Sequence, residues 1–271
     1  MKVILSRKGF DSANGGIASP ILPDGTLLSL PIPSEKGTTY PYCKLSYGDQ
    51  TYKEIIKQLF PKFSHTTGHL DPDIRQGAFV LPAAWKPIWK PVFGQADAAL
   101  TVLQNQNVGV GDIFLFFGWF KQTESGADGK LNFVRGAKDQ HIIYGYLQIG
   151  EIATEKDTIQ KYGWHPHATW PKDKNCLYVA GNKLSWDESK PGAGVFQYDK
   201  RLVLTKDGSK SKSCWDLPDF MKELTISGSY KDAWRKDSEY GEYYRAMDIG
   251  QEFVIQEAPA VEAWAKALIK G

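Results

Sequence analysis

Cysteine is scarce in this chain: Cys43, Cys176 and Cys214 stand far apart and form no CxxC pair. That excludes a disulfide framework and a cysteine-ligated zinc site, and it fits a reducing compartment. Charge of one sign is lacking too, since 33 basic residues meet 31 acidic ones for a net +2. So weak a global field advertises no nucleic-acid partner, and any basic surface must be local. The amino terminus, MKVILSRKGF, is apolar only briefly before Ser6 and Arg7, far short of a secretory leader. The longest apolar run, Ile113–Phe120, contains a glycine and falls well below the about 20 residues that a membrane-spanning helix needs. The chain therefore reads as soluble and cytoplasmic, with no membrane partner. Also missing are GxxxxGK, a GxGxxG after a strand, GxSxG, and the HxE and PCxxC elements of zinc deaminases.

What is present is a globular composition, 42% hydrophobic and 24% charged over 271 residues, with an aromatic content of 13% that includes nine tryptophans and thirteen tyrosines. Aromatics at this level suit a large core and also stacking on bases. The residues KVIL open a strand that runs into the glycine-rich loop SRKGFDSANGGIASP, and Pro20–Gly37 continues irregularly. Helical spacing marks Thr51–Phe60, stopped by Pro61, and Gln95–Gln106. Between them, Leu81–Gly94 is too rich in proline and tryptophan to be regular for long. From Val108 to Glu151 the pattern turns to strand, followed by strands at Asn175–Ala180, Arg201–Thr205 and Glu252–Ile255 and a helix at Ala258–Ile269. The expected fold is α+β: a curved mixed or antiparallel sheet, partly barrel-like, with flanking helices and long loops. One domain over 1–271 is expected, its β core around 106–205, since neither a repeat nor a linker divides the chain.

The run from Gly111–Asp112 through Phe116–Phe117, followed by Ile142–Gly150, resembles the central strands of the PUA-like superfamily, with its EVE and ASCH branches. That resemblance implies a slot for RNA or a modified base. A broader one covers most of the chain: SRKGFDSANGG, HLDPD at His69–Asp73, Leu103–Phe120 and GQEFV at Gly250–Val254 occur in the order found in the nucleotide-modification-associated domain family of the third class. It implies DNA carrying modified bases, such as phage DNA, as the partner. Some relatives are similar to DNA glycosylases that excise hypermodified bases in antiviral defence.

Such chemistry needs a carboxylate near C1′ and a wall to hold the flipped base, with no metal or other cofactor required. The candidate carboxylates are Asp11, in a glycine-rich loop after a strand, and Asp71 and Asp73, which flank the stiff Pro72. Asn14, Gln104 and Asn105 are candidate readers of a base edge, and Phe117, Trp119 and Tyr144 candidate walls. Arg7, Lys8 and Arg75 sit beside the carboxylates in sequence and suit flanking phosphates; Lys8 also suits a Schiff base. Lys200, Arg201, Lys206, Lys210 and Lys212 face one acid, Asp207, in a loop able to track a DNA backbone. His165 and His167, separated by Pro166, read as surface or phosphate contacts rather than metal ligands. Asp187, Glu188 and Lys190 only faintly echo a metal-dependent nuclease. A non-catalytic reader of modified bases and a hydrolase of modified nucleotides remain alternatives.

Overall fold

The computed structural model describes residues 1–81, 83–247 and 251–271, so Pro82 of the proline-rich stretch and Gly250 of the GQEFV block lie outside the described residues. Nine strands form one mixed sheet: β1 (Val3–Arg7), β2 (Ser19–Ile21), β3 (Val92–Ala96), β4 (Ile113–Ser125), β5 (Leu131–Phe133), β6 (Gln140–Ala153), β7 (Asn175–Ala180), β8 (Ala193–Val195) and β9 (Glu252–Ile255). The main path runs β9-β1-β4-β6-β7-β3. Only β1 and β2 lie parallel to their neighbour β4; the other pairings are antiparallel.

The helices are α1 (Tyr52–Leu59), α2 (Asp97–Asn105), α3 (Lys156–Gln160) and α4 (Pro259–Lys270). None described is long and apolar enough to cross a membrane. At α1 the sequence shows its start clearly: Thr51 and Glu54 cap each other, with Thr51 N donating to Glu54 Oε2 at 2.7 Å and Glu54 N to Thr51 Oγ1 at 3.2 Å.

The sheet is rolled but does not close by backbone pairing. Helix α2 packs against both edge strands, β3 and β9. Across the gap Gln95 Nε2 donates to Glu252 Oε1 at 2.6 Å, an oxygen that also accepts from Ser6 Oγ and Lys8 Nζ, each at 3.1 Å. Inside the roll, Phe93 of the last strand meets Phe114 and Phe116 of β4, with centroids 4.8 and 5.2 Å apart. Strand β6 follows this curvature through a register shift at Ile143–Gly145. A second core covers the other face of the β7 end: Cys176, Tyr178 and Ala180 point into the first, Leu177 and Val179 into the second.

Two expected elements are corrected. Residues 92–94, expected to be irregular, and Gln95–Ala96, expected to be helical, form β3, and the helix begins only at Asp97. All five β3 residues are buried, so no period-two alternation reveals the strand. Arg201–Thr205 is not a strand: Lys200–Leu202 make a 3₁₀ turn capped by Asp199, and Val203 and Thr205 form only isolated bridges. A small sheet of Cys214–Trp215, Trp234–Asp237 and Gly241–Arg245 has no counterpart in the sequence reading.

Candidate active site

The segment His69–Asp73 is fastened to the edge strand β3. Asp73 and Val92 exchange two backbone hydrogen bonds at 2.9 and 3.0 Å, and Gly94 N donates to Asp71 Oδ1 at 2.8 Å. The Asp71–Pro72 peptide is cis. From the other direction His165 caps the 3₁₀ turn Pro166–Thr169 and brings His167 onto the same strand. Gly94 makes this approach possible: a Cβ there would lie 2.3 Å from His167 Cγ and Cδ2 and 2.9 Å from His165 Cε1. Trp170 stacks on His167 with centroids 4.8 Å apart, and His69 meets His167 edge-on at 5.2 Å.

Three imidazoles thus surround one carboxylate. His165 Nε2 lies 3.2 Å from Asp71 Oδ1, but off the line of a good hydrogen bond. His167 Nε2 lies 3.7 Å and His69 Nε2 3.9 Å from Asp71 Oδ2. Asn175 sets the His167 tautomer. Its Nδ2 donates to the His167 carbonyl at 2.7 Å, so its Oδ1, also at 2.7 Å, accepts from His167 Nδ1–H. The Nε2 lone pair of His167 is therefore left facing Asp71. His165 Nδ1 accepts from His167 N at 3.3 Å, which puts the His165 proton on Nε2, toward Asp71.

Burial lowers the His69 pKa to about 3 and that of His167 to about 4, against the raising field of Asp71, so both rings are neutral near pH 7. For Asp71 burial is the largest influence and acts to raise its pKa, but the approach of His165 and the fields of the three histidines outweigh it. The carboxyl is held well below the usual range and stays ionised. Asp73 differs: burial raises its pKa to about 6, and its Oδ2 accepts from Trp89 Nε1 at 2.8 Å and Trp164 Nε1 at 3.2 Å. A narrow cleft of about 40 Å³ reaches Asp71 but not Asp73, past Gly9, Ser29, Tyr52, Arg75 and Tyr144. It has room for a few waters. His69, Asp71 and His167 offer one ligand-type atom each, all within 4.8 Å of one another.

Of the candidates read from sequence, the structure brings Asp71, Arg75 and Tyr144 to this cleft. Arg75 is held lightly, by one hydrogen bond to Leu27 O at 3.2 Å and by the Tyr47 ring at 5.2 Å. Asp11 is engaged in its own loop, accepting from Ala13 N, Asn14 N and Asn14 Nδ2 at 2.7–3.0 Å; Asn14 is thereby engaged as well. Gln104 and Asn105 are exposed at the end of α2 and do not line the cleft. Phe117 is core, edge-on to Trp215 at 5.0 Å, because β4 is buried on both faces there. Trp119 is half-buried, bonded to Asp139 and covered by Lys212 at 4.5 Å.

The cations divide in the same way. Lys8, expected at a phosphate or a Schiff base, is buried and ion-paired with Glu252 at 3.1 Å, since it lies at the closing seam of the sheet. Arg7 donates to Met247 O at 3.0 Å. In the basic loop, Arg201 meets Asp199, Lys206 meets Asp216 and Lys210 meets Glu239, while Lys200 is exposed. Acids outside the counted segment thus temper its charge. Asp187 bonds to Ser189, and Lys190 caps the last carbonyls of α4, so WDESK forms no nuclease core.

His165 and His167, expected at the surface, are 0% and 4% exposed, because the side chain missing at Gly94 leaves the space they fill. His69, Gly94 and Asn175 were not singled out by the sequence reading. The one signal for His69 was its place in the HLDPD block. A family model described as nucleotide modification associated domain 3 matches residues 2–256. Neither the curated proteins nor the solved structures compared give a match.

Proposed function

Because the chain belongs to the nucleotide modification associated domain 3 family, we propose that it acts on DNA as a glycosylase, releasing a hypermodified base of the kind carried by phage DNA. Asp71 carries this reading: an ionised carboxylate at the end of a cleft, with one oxygen held by Gly94 N and the other facing a histidine lone pair. A water donating one hydrogen to Asp71 Oδ2 and the other to His167 Nε2 keeps an oxygen lone pair for C1′. As the C1′–N bond lengthens, Asp71 stabilises the positive charge on the sugar. Water oxygen bonds to C1′, its proton passes to His167, and the base departs with the electron pair of the broken bond and takes a proton from solvent. Arg75, which lines the cleft, suits a flanking phosphate, and Tyr144 offers a ring to the sugar or base.

The test is incubation with DNA bearing hypermodified cytosine or thymine, and with unmodified DNA, followed by mass spectrometry of released bases. Release from modified DNA alone is expected, and Asp71→Asn should lower its rate at least about a hundredfold while DNA binding persists. The narrowness of the cleft favours one second reading, a reader that holds a base only at the mouth. Tight binding to modified DNA, no release, and an Asp71→Asn variant of unchanged affinity would establish the reader instead.

A further inference from the structure

We propose that His69, Asp71 and His167 form a binding site for a divalent transition-metal ion. The first ground is convergence: His69 Nε2, Asp71 Oδ2 and His167 Nε2 are of ligand type, and the two nitrogens stand 3.9 and 3.7 Å from the carboxylate oxygen, beyond hydrogen-bond length. The second is direction. Asn175 holds the proton of His167 on Nδ1, so a lone pair and a carboxylate oxygen face each other with no hydrogen between them. Two acceptors at that distance are brought into balance by a cation or by a bridging donor.

The third ground is the surrounding shell. Ligating histidines are oriented by a hydrogen bond from the other ring nitrogen, and ligating carboxylates are themselves hydrogen-bonded. Here Asn175 serves His167, and Gly94 N with the nearby His165 serves the non-ligating Asp71 Oδ1. His69, 7% exposed, departs from this pattern, since its buried Nδ1 has no partner. The nearby cation Lys8 is neutralised by Glu252.

Two imidazoles and one carboxylate select zinc, cobalt(II) or iron(II) over magnesium or calcium. With metal–ligand bonds of about 2.1 Å, tetrahedral ligands stand about 3.4 Å apart, so the two nitrogen–oxygen spacings close by a few tenths of an ångström while the three atoms, now within 4.8 Å of one another, draw together. Two neutral rings and one anion leave a net positive charge on a bound divalent ion. The cleft reaches Asp71, one of the three ligands. The site shares Asp71 and His167 with the glycosylase reading without depending on it. A bound ion would occupy the His167 Nε2 lone pair that takes the water's proton in that reading, so base release is expected from the metal-free chain.

The experiment strips the purified full chain with EDTA and titrates it with Co²⁺ and with Zn²⁺, followed by calorimetry, cobalt ligand-field absorption and paramagnetically shifted imidazole signals. One ion per chain is expected, with two shifted histidine rings. His167→Ala should weaken binding at least a hundredfold, Asn175→Ala ten- to a hundredfold, and the exposed His65→Ala not at all. Circular dichroism checks each variant's fold. Absence of stoichiometric binding, absence of shifted imidazoles in the native chain, or undiminished affinity in a folded His167→Ala variant overturns the proposal. Metal binding without base release removes the glycosylase and leaves the site; base release without metal binding does the reverse.

Discussion

Gly94→Ala is the sharpest perturbation of the site, because it adds a single methyl group where two histidine rings rest on the strand. The new Cβ would stand 2.3 Å from His167 Cγ and 2.9 Å from His165 Cε1, and neither ring atom is the free end of a flexible chain. Restoring ordinary contact of about 3.6 Å moves the His167 ring by more than 1 Å. Its Nδ1 is tied to Asn175 at 2.7 Å and its face to Trp170, so it cannot move alone. Overpacking of this kind costs about 1–3 kcal/mol. At about 2–4 °C per kcal/mol for a chain of this size class, Tm falls by roughly 2–12 °C. The functional loss is larger, since a 1 Å misplacement of a positioning group costs about a hundredfold in rate. Thermal melts beside base release from modified DNA, or beside cobalt titration, read both effects. A Gly94→Ala variant with native Tm, native base release and native metal affinity would refute the placement of the histidines on this strand.

Three further outcomes are expected. Lys8→Met strands Glu252 in the seam with an uncompensated charge and should cost about 3–5 kcal/mol in urea unfolding, most of it recovered by adding Glu252→Gln; no recovery would mean that the pair is not coupled. His141 is buried and accepts from Trp215 Nε1 at 3.0 Å, and burial, with the fields of Arg7, Lys212 and Arg245, holds its pKa well below 6.5. The unfolded chain takes up a proton below pH 6.5 that this folded ring refuses, so its share of stability is present above 6.5 and lost as pH falls. His141→Asn lacks that titration, and its deficit relative to the native chain should shrink by up to about 1.6 kcal/mol between pH 6.5 and 5; a deficit constant with pH would contradict it. Arg75→Ala should leave Tm nearly unchanged, weaken DNA binding and lower the salt dependence of log K by about one unit. An unaltered salt slope would remove Arg75 from the phosphate contacts.

Strands and helices with a local signature were legible. Helix α1 has its capping box, α4 its amphipathic pattern, and β4 and β6 their long apolar and aromatic runs. Strand β3 was not, because full burial erases alternation and Gly94 reads as a breaker when its purpose is to admit two rings from a segment about 70 positions away. The same distance hid the site. Asp71 was legible as a carboxylate on a stiff support, but nothing local in WHPHATW tells a surface histidine from one folded against Asp71. Lys8 beside a candidate carboxylate looked free for phosphate, and only the return of Glu252 to the first strand shows it engaged.

The seam between β3 and β9 also bears on the order of assembly during synthesis. Ser6 and Glu252, joined by a hydrogen bond, are 246 positions apart, so the roll cannot be completed until nearly all of this sequence has left the ribosome. Before then β1 can pair only with β4, while its other edge and the lysine at the seam wait for a partner not yet made. Pairings this distant in sequence form slowly. Early in its life the chain therefore has an open outer edge on β1, beside Lys8, a site for chaperone binding or for mispairing that the arrival of β9 withdraws.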